Sequence, residues 1–567
     1  MSSKAAHEFD AFFAQDEALS RRIGVVVGGS LSKGLTVKLD HGQNVEDLAV
    51  GRYVVVHGQK QRFFCMITDV VLDNTNPDIQ SDPPDIANPF LRDVYIGTAA
   101  YGKISIQPML SIDEGEKGTP APRPVKTIPG HFMDVMNATV ADVNAVFGEE
   151  DADHFNVGTP LELERVNINL DLSRLVERSI GVFGKSGTGK SFLTRMLLAG
   201  VIANNKASCL IFDMHNDYGG QVNTENQGQP KAKGLADLLG RAKIAICTLD
   251  PDSARNRGVN PDMEVKLPYS AIEPEDLAML SDTMNLSDAM IDAAYMLHKR
   301  WGENWILRLI EAEEPDFEEV EAKTNARAGT LKALQRRVQR FERWSFLTPE
   351  AAEDSIELIM HMLQNGRSVV LEFGKFGNSL EAYILVANYL TRRIHEQYVD
   401  RMERALGDNS EKPKQLLIVI EEAHKFLDPH IADQTIFGII AREMRKFNVT
   451  LLIVDQRPSG IDEEVMSQIG TRVTALLDNE RDISAVLTGI SAAGGLREVL
   501  ARLETRQQAI IMGHAVPMPV VIRTRDYDQR FYEAINLQIT GAPVGRSSDE
   551  NKKVLQFGRK DGDNRRL

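Results

Sequence analysis

Apolar positions fall into three patterns along the chain. From residue 22 to about 107, short β-rich runs at 23–27, 35–39, 53–56 and 63–67 are separated by Gly28-Gly29, Asp40-His41-Gly42 and His57-Gly58. Closely spaced strands with turn signals predict a small β-barrel. The stretch 73–88 is rich in Asp, Asn and Pro and reads as a loop, and 115–130, rich in Pro and Gly, as a linker or crossing loop. From about residue 161 the runs become continuous, at 180–183, 208–212, 242–249, 368–373, 416–420 and 450–454. Unbroken apolar runs mark strands covered on both faces, hence a parallel sheet with helices on each side. Between 268 and 365 that rhythm stops, and Leu277, Leu280, Met284, Met290, Ala293, Ala294 and Leu297 recur at helical spacing. This predicts a helical insertion. After Asp526 the chain turns polar, and 546–567, with Lys552, Lys553, Arg559, Lys560, Arg565 and Arg566, reads as a mobile tail.

Composition narrows the class. The chain has 567 residues, 43% of them hydrophobic and 26% charged, which suits a folded protein of about two to four domains. No apolar run approaches the ~18 residues of a membrane span, and the N-terminus lacks the basic start and apolar block of a signal peptide. A soluble, cytoplasmic protein without a membrane anchor is expected. Cys65, Cys209 and Cys247 sit in apolar stretches with no CxxC spacing, so buried free thiols are expected rather than structural zinc. The net charge of -16 argues against a generally basic nucleic-acid coat. It leaves room for a ring that is acidic outside and basic only along its pore.

The strongest chemical signal is Gly184-Lys185-Ser186-Gly187-Thr188-Gly189-Lys190-Ser191, a full GxxxxGK[ST] phosphate loop between an apolar strand and the helical run opened by Lys190 and continued by Phe192. Glycines let backbone N–H groups turn around phosphate oxygens, and the following helix points its positive end at the anion. Lys190 brings a charge to the β/γ-phosphates and Ser191 a hydroxyl to Mg²⁺. ATP and Mg²⁺ are therefore the expected ligands, with Gly184 to Phe192 as the nucleotide-binding set. At 416–420 a second apolar run ends in Glu421-Glu422. Acids at the C-terminal edge of a parallel sheet face the nucleotide crevice. Glu421 is assigned to the metal and Glu422 to the attacking water. The run 450–454 leads into Asp455-Gln456-Arg457-Pro458, where Gln456 is placed to sense the γ-phosphate, and Arg442, Arg445 and Lys446 form a basic cluster upstream. Oligomeric hydrolases use an arginine against a neighbour's γ-phosphate. Asp213 ends the 208–212 run near the site, and His215 and His424 read as structural hydrogen-bonding residues.

Taken together, the phosphate loop, Asp213-Met214-His215-Asn216-Asp217-Tyr218, Ile420-Glu421-Glu422-Ala423-His424 and Gln456-Arg457-Pro458 resemble the HerA branch of the FtsK/HerA ATPases over nearly the whole chain. Glu at 421, where P-loop enzymes commonly carry Asp, fits that branch. The resemblance implies an α/β RecA-like core with a helical insertion, preceded by an N-terminal β-barrel. On this reading residues 1–20 form an arm or helix, 21–110 the barrel, 111–160 a linker, 161–530 the core with its insertion at about 268–365, and 531–567 a C-terminal extension. It implies a homohexameric ring that hydrolyses ATP between subunits and pumps duplex DNA through its pore, acting as a helicase or translocase. It implies nucleotide and metal binding by Lys190 and Ser191, catalysis by Glu422, and an arginine at Arg178 that reaches the nucleotide. Relatives carry Gly where Met444 stands, which leaves either Arg442 or Arg445 as the arginine acting in trans. A nuclease or sirtuin-like effector docking on the barrel is implied, in DNA end processing and repair or in antiviral defence. A second reading from a different class is an ATP-loaded scaffold ring that assembles and activates an effector, with movement on DNA secondary.

Overall fold

The structure, a computed structural model, describes residues 22–540 other than 77, 82–86, 91–93, 96–98, 114–121, 162–165, 222–230, 351–353, 408–411, 433–434, 491–492 and 505–506. The expected arm at 1–20 and tail at 546–567 lie outside the described residues.

Strands β1 (Arg22–Ser30), β2 (Gly34–Leu39), β3 (Tyr53–His57), β4 (Gln61–Asn74), β5 (Ala100–Asp113), β6 (Arg123–Pro124) and β7 (Asp134–Asn137) form one antiparallel sheet in the order β2-β1-β7-β3-β4-β5-β6. Pairing of β2 with β5 closes six of them into a barrel, and β6 adds to β5 outside the ring. Val26, Val37, Val54, Val56, Phe63, Cys65, Ile104 and Val135 fill the interior. The alternate residues Tyr53, Val55, Phe64, Met66, Leu110 and Ile112 are buried too, because they pack outward on the second domain. That double burial explains why the 53–56 and 63–67 runs are continuous instead of alternating.

The stretch expected as a linker, 111–160, holds regular elements among its described residues. It supplies the end of β5, β6, the barrel strand β7, a helix at Val140–Phe147 and the strand β8 (His154–Pro160). β7 has four residues and β8 contains Gly158 and Pro160, so neither displays a periodicity that a sequence pattern can register. The loop expected at 73–88 likewise holds the end of β4 and a short helix at Asp78–Ser81.

The second domain is built on a twelve-stranded sheet. Its parallel part comprises β10 (Ile180–Phe183), β11 (Ser208–Asp213), β12 (Ile244–Thr248), β13 (Met263–Glu264), β16 (Ser368–Glu372), β17 (Leu416–Glu421), β18 (Val449–Asp455) and β19 (Thr471–Thr474), in the order β13-β12-β16-β11-β17-β18-β10-β19. Beyond β19 the sheet continues antiparallel through β20 (Gln508–Gly513), β21 (Val520–Thr524), β8 and β9 (Ile168–Asp171). The sheet is thus mixed: in its antiparallel wing the short connection of β20 to β21 rules out parallel pairing, whereas β19–β20 and β21–β8 join segments far apart in sequence. A separate parallel pair, β14 (Leu267–Pro268) with β15 (Leu347–Thr348), brackets helices at Pro274–Ala278, Ser281–Met284, Asp288–Trp301, Trp305–Glu311, Glu314–Lys323 and Ala328–Val338. Leu277, Leu280, Met284, Ala293, Ala294 and Leu297 are buried there, around Trp305, whose ring N–H donates to the Ile272 carbonyl at 2.9 Å.

One side chain hooks the two domains together. The buried Tyr53 hydroxyl donates to the Pro519 carbonyl at 3.1 Å and accepts the Val521 N–H at 3.3 Å, so β3 is fastened to β21. Cys65, Cys209 and Cys247 are buried and free, and burial pushes the Cys209 and Cys247 thiols up to about 12. No helix among the described residues is long and apolar enough to cross a membrane.

Candidate nucleotide-binding and hydrolysis site

Sheet register assembles the candidate residues. β10 lies beside β18 with Phe183 opposite Asp455, and β17 lies on the other side of β18 with Glu421 opposite Val454. All three strands run the same way, so Gly184, Gln456 and Glu422 leave the sheet at the same edge.

The loop after β10 requires glycine where its backbone turns left-handed. Gly187 and Gly189 have φ of 78° and 86°. Gly184 has φ of 154°, and a Cβ there would lie 2.8 Å from Thr188 Oγ1 and 2.9 Å from Ala475 Cβ. Thr188 Oγ1 donates to the Lys185 carbonyl at 2.8 Å and Lys190 Nζ donates to the same oxygen at 3.0 Å, while Lys185 N–H donates to the Leu476 carbonyl at 3.1 Å. Lys185 Nζ meets Asp478 at 3.2 Å. Ser186 and Gly187 are exposed at the tip, Ser191 and Phe192 half-buried. The helix Lys190–Ala203 starts from Gly189 with no side-chain cap, so its first N–H groups are offered to an anion. Burial lowers the Lys190 ammonium, and the facing carboxylates of Glu422, Asp455 and Glu421 oppose that shift. A lysine surrounded by three acids under a glycine-rich loop is suited to phosphate oxygens whose charge is shared with a divalent cation.

The two glutamates stand in different surroundings. Glu421 is buried, and its Oε1 accepts the Tyr218 hydroxyl at 2.9 Å while Oε2 is enclosed with no hydrogen-bond partner among the described residues. Burial raises its carboxyl to about 7, with Tyr218 opposing the rise. Tyr383, from the long helix Leu380–Ala405, pins the backbone: its hydroxyl donates to the Glu421 carbonyl and accepts the Glu421 N–H, each at 3.1 Å. Glu422 then turns sharply, at φ 50° and ψ 46°, a conformation that costs a non-glycine residue about 1–2 kcal/mol. This turn swings its side chain to a partly exposed position beside the phosphate loop.

Tyr218 reaches Glu421 because the segment after β11 folds back on Asp213. That carboxylate accepts N–H groups from Asp217 at 2.7 Å and Tyr218 at 2.9 Å, and burial pushes it up to about 7. Behind the pair, the buried Arg195 guanidinium stacks 4.6 Å from the Phe192 ring centre, and Phe192 packs edge-on against Tyr527. Tyr218, Tyr383, Arg195 and Asp455 had no assigned role in the sequence, since no local spacing links them to the glutamates.

The remaining expected residues divide. Gln456 is at the site edge by register. Arg442 lies on the helix Ile436–Glu443 and faces Asp462 at 3.8 Å and Glu464 at 3.6 Å. Arg445 belongs to the 3₁₀ turn Met444–Phe447, and its side chain lies outside the described residues. Arg178 is exposed at the start of β10, packed on Gly470, and β10 separates it from its own phosphate loop. The strand between them spans about 13 Å, so Arg178 lies at the opposite end of β10 from its own phosphate loop. His424 hydrogen-bonds to Asp455, as expected of a structural histidine, whereas His215 is exposed and makes no ring hydrogen bond among the described residues.

A divalent cation fits the donors. Glu421 Oε2 is a buried oxygen without a hydrogen-bond partner among the described residues, and Ser191 is in the first turn of the helix that follows the phosphate loop. Among the described residues no cluster of three His, Cys, Asp or Glu side chains forms a metal site by itself.

Two families match the chain: "Helicase HerA, central domain" over residues 155–394 and "HAS barrel domain" over 23–104. Among similar proteins, "DNA double-strand break repair helicase HerA" of Pyrococcus furiosus is 25% identical over 418 residues, 69% of this chain and 73% of that one. The protein of the same name from Sulfurisphaera tokodaii is 24% identical over 520 residues, 89% and 93% of the two chains. Among solved structures, VirB4 of Thermoanaerobacter pseudethanolicus is 14% identical at a TM-score of 0.42, covering 67% of this chain and 99% of its own. The plasmid coupling protein TrwB, in complex with ADP and Mg²⁺, is 13% identical at a TM-score of 0.40, covering 68% and 97%.

Proposed function

The chain belongs to the HerA family of P-loop ATP hydrolases, and from that premise we propose that it is a motor that uses ATP to move duplex DNA through a ring of six identical subunits. The observation that supports the reading is the shared edge of β10, β18 and β17, where the strand ends that lead into the phosphate loop, Gln456 and Glu421-Glu422 lie side by side and Lys190 faces Glu422, Asp455 and Glu421. In this reading backbone N–H groups of the loop and Lys190 hold the β- and γ-phosphates, and Phe192 borders the nucleotide. Ser191 and Glu421 hold Mg²⁺, which when bound offsets the negative charge that builds on the phosphates. Glu422 orients and polarises the attacking water, and Gln456 detects whether a γ-phosphate is present.

The arginines act across subunit boundaries. Arg442 or Arg445 approaches a neighbour's γ-phosphate, and Arg178, at the far edge of its own sheet, reaches a nucleotide only from a neighbouring subunit. Ring closure is thus needed for full turnover. The effector, a nuclease or sirtuin-like enzyme, docks on the barrel, where Leu72, Phe90 and Phe132 are each more than 70% exposed. DNA end processing and phage defence are the two settings such a partner would define.

The net charge of -16 favours the alternative, a scaffold ring that loads ATP to assemble and activate its effector. One measurement separates the two. Duplex DNA added to the full chain with ATP and Mg²⁺ raises turnover severalfold if the chain is a DNA motor. Turnover that ignores DNA but rises with the effector rejects the motor.

A further inference from the structure

The turn after β17 and the segment after β18 run side by side, and a single buried carboxylate joins them. Asp455 closes β18 with a fully buried side chain. Its Oδ2 accepts the His424 backbone N–H at 2.8 Å and stands 2.9 Å from His424 Nδ1, while its Oδ1 accepts the Arg457 N–H at 2.6 Å. An acceptor-only carboxylate facing Nδ1 places the ring proton on that nitrogen. The same Nδ1 lies 3.7 Å from Glu422 Oε2. On another side the Pro458–Gly460 turn closes on the ring's root: a Cβ at Gly460 would sit 3.3 Å from His424 Cβ. The imidazole is therefore wedged between the segment that begins at Gln456 and the Glu422 carboxylate.

Glu422 needs such a neighbour. Its backbone is in the left-handed region, and among the described residues no side chain hydrogen-bonds to its carboxylate. A group in that position takes its orientation from what packs beside it.

We propose that His424, fixed by Asp455, is a positioning residue that sets the Glu422 carboxylate and couples it to the Gln456 segment. The inference rests on the reading of Glu422 as the water-polarising group. A separation of 3.7 Å is too long for a hydrogen bond, so no proton passes between ring and carboxylate. The ring acts as a spacer. Gln456 follows Asp455 directly, so a shift of Gln456 toward a γ-phosphate moves Asp455, the ring that it holds, and the carboxylate beside the ring. Hydrolysis is thereby tied to a correctly loaded site.

The test measures steady-state ATP turnover and binding of a fluorescent non-hydrolysable ATP analogue, on the full chain with Mg²⁺. His424→Ala lowers kcat about 100-fold, the scale of a misplaced catalytic group, and leaves analogue affinity within about threefold. His424→Asn, whose amide N–H falls where Nδ1 stood, recovers kcat to within about fivefold, and His424→Gln, whose amide reaches further out, does not. In a Glu422→Gln background, adding His424→Ala reduces turnover no further, because a spacer has nothing left to position. The proposal fails if His424→Ala keeps its kcat, or if the two losses multiply, which marks a general structural role. Should the alanine variant not fold, the Asn and Gln variants decide, and equal rates for the two overturn the coupling. If Glu422→Gln itself turns over normally, the assignment of Glu422 is at fault, a failure distinct from that of His424.

Discussion

The two halves of the sheet edge are built on opposite principles. On the β11 and β17 side, Asp213, Tyr218, Tyr383 and Glu421 are buried and tied by hydrogen bonds to each other or to nearby backbone. Toward β18 and β10, Gln456 and the loop tip are partly or fully exposed, and so is Glu422, which leaves β17 in a strained turn beside the His424 ring. Adjacent glutamates thus stand in unlike surroundings. A buried carboxylate with one oxygen engaged and one waiting is fit to grip an ion of fixed position. A half-open one is fit to meet a water that must arrive and leave. The buried half should announce itself in stability and metal dependence, and the open half in turnover alone.

Lys190→Ala strikes both halves, since it removes a cation that faces all three acids. ATP turnover should fall to background, and residual hydrolysis within about tenfold of the parent would remove the site from this loop. Glu422→Gln isolates the open half. Turnover should drop about 100-fold or more while the melting temperature and ATP-analogue affinity hold, and a fall in melting temperature would blur the contrast. Tyr218→Phe probes the buried half. It leaves Glu421 Oε1 without its donor, so unfolding should become easier by about 1–3 kcal/mol, and the Mg²⁺ concentration for half-maximal turnover should rise severalfold. Unchanged values of both would mean that Tyr218 does not support Glu421.

The smallest effect is on pH. Folding raises the Glu421 and Asp213 carboxyls to about 7, above their ordinary values. Their contribution to stability is therefore full below about pH 4 and is lost as pH rises through about 7. Without Mg²⁺ the melting temperature should be lower at about pH 8 than at about pH 6 by a few degrees, and Glu421→Gln should flatten that slope. Equal slopes in parent and variant would show that Glu421 is not the titrating group.

How much of this was visible in the sequence follows the range of each interaction. The phosphate loop is local, eight consecutive residues whose glycines and lysine carry their meaning in spacing. The strands at 180–183 and 416–420 were legible because burial on both faces leaves an unbroken apolar run. Tyr218 and Glu421 meet across 203 residues, and His424 and Asp455 across 31, so only the sheet order joins them. The barrel strand Asp134–Asn137 went unseen because four residues with one fully buried side chain carry no period. The antiparallel wing was missed for another reason: an apolar run has no direction, and β21 pairs with β8 from a distant part of the sequence. Arg178 was named only through the family resemblance, and the strand Ile180–Phe183 lies between it and its own phosphate loop.

The Tyr53 hook has a mechanical consequence. It grips the end of β21, and from there β20 and β19 lead by side-by-side hydrogen bonds to β10, the strand that ends in the phosphate loop. A tug on the barrel is shared across those ladders in shear, so strain applied by anything attached outside arrives at the loop through rigid material.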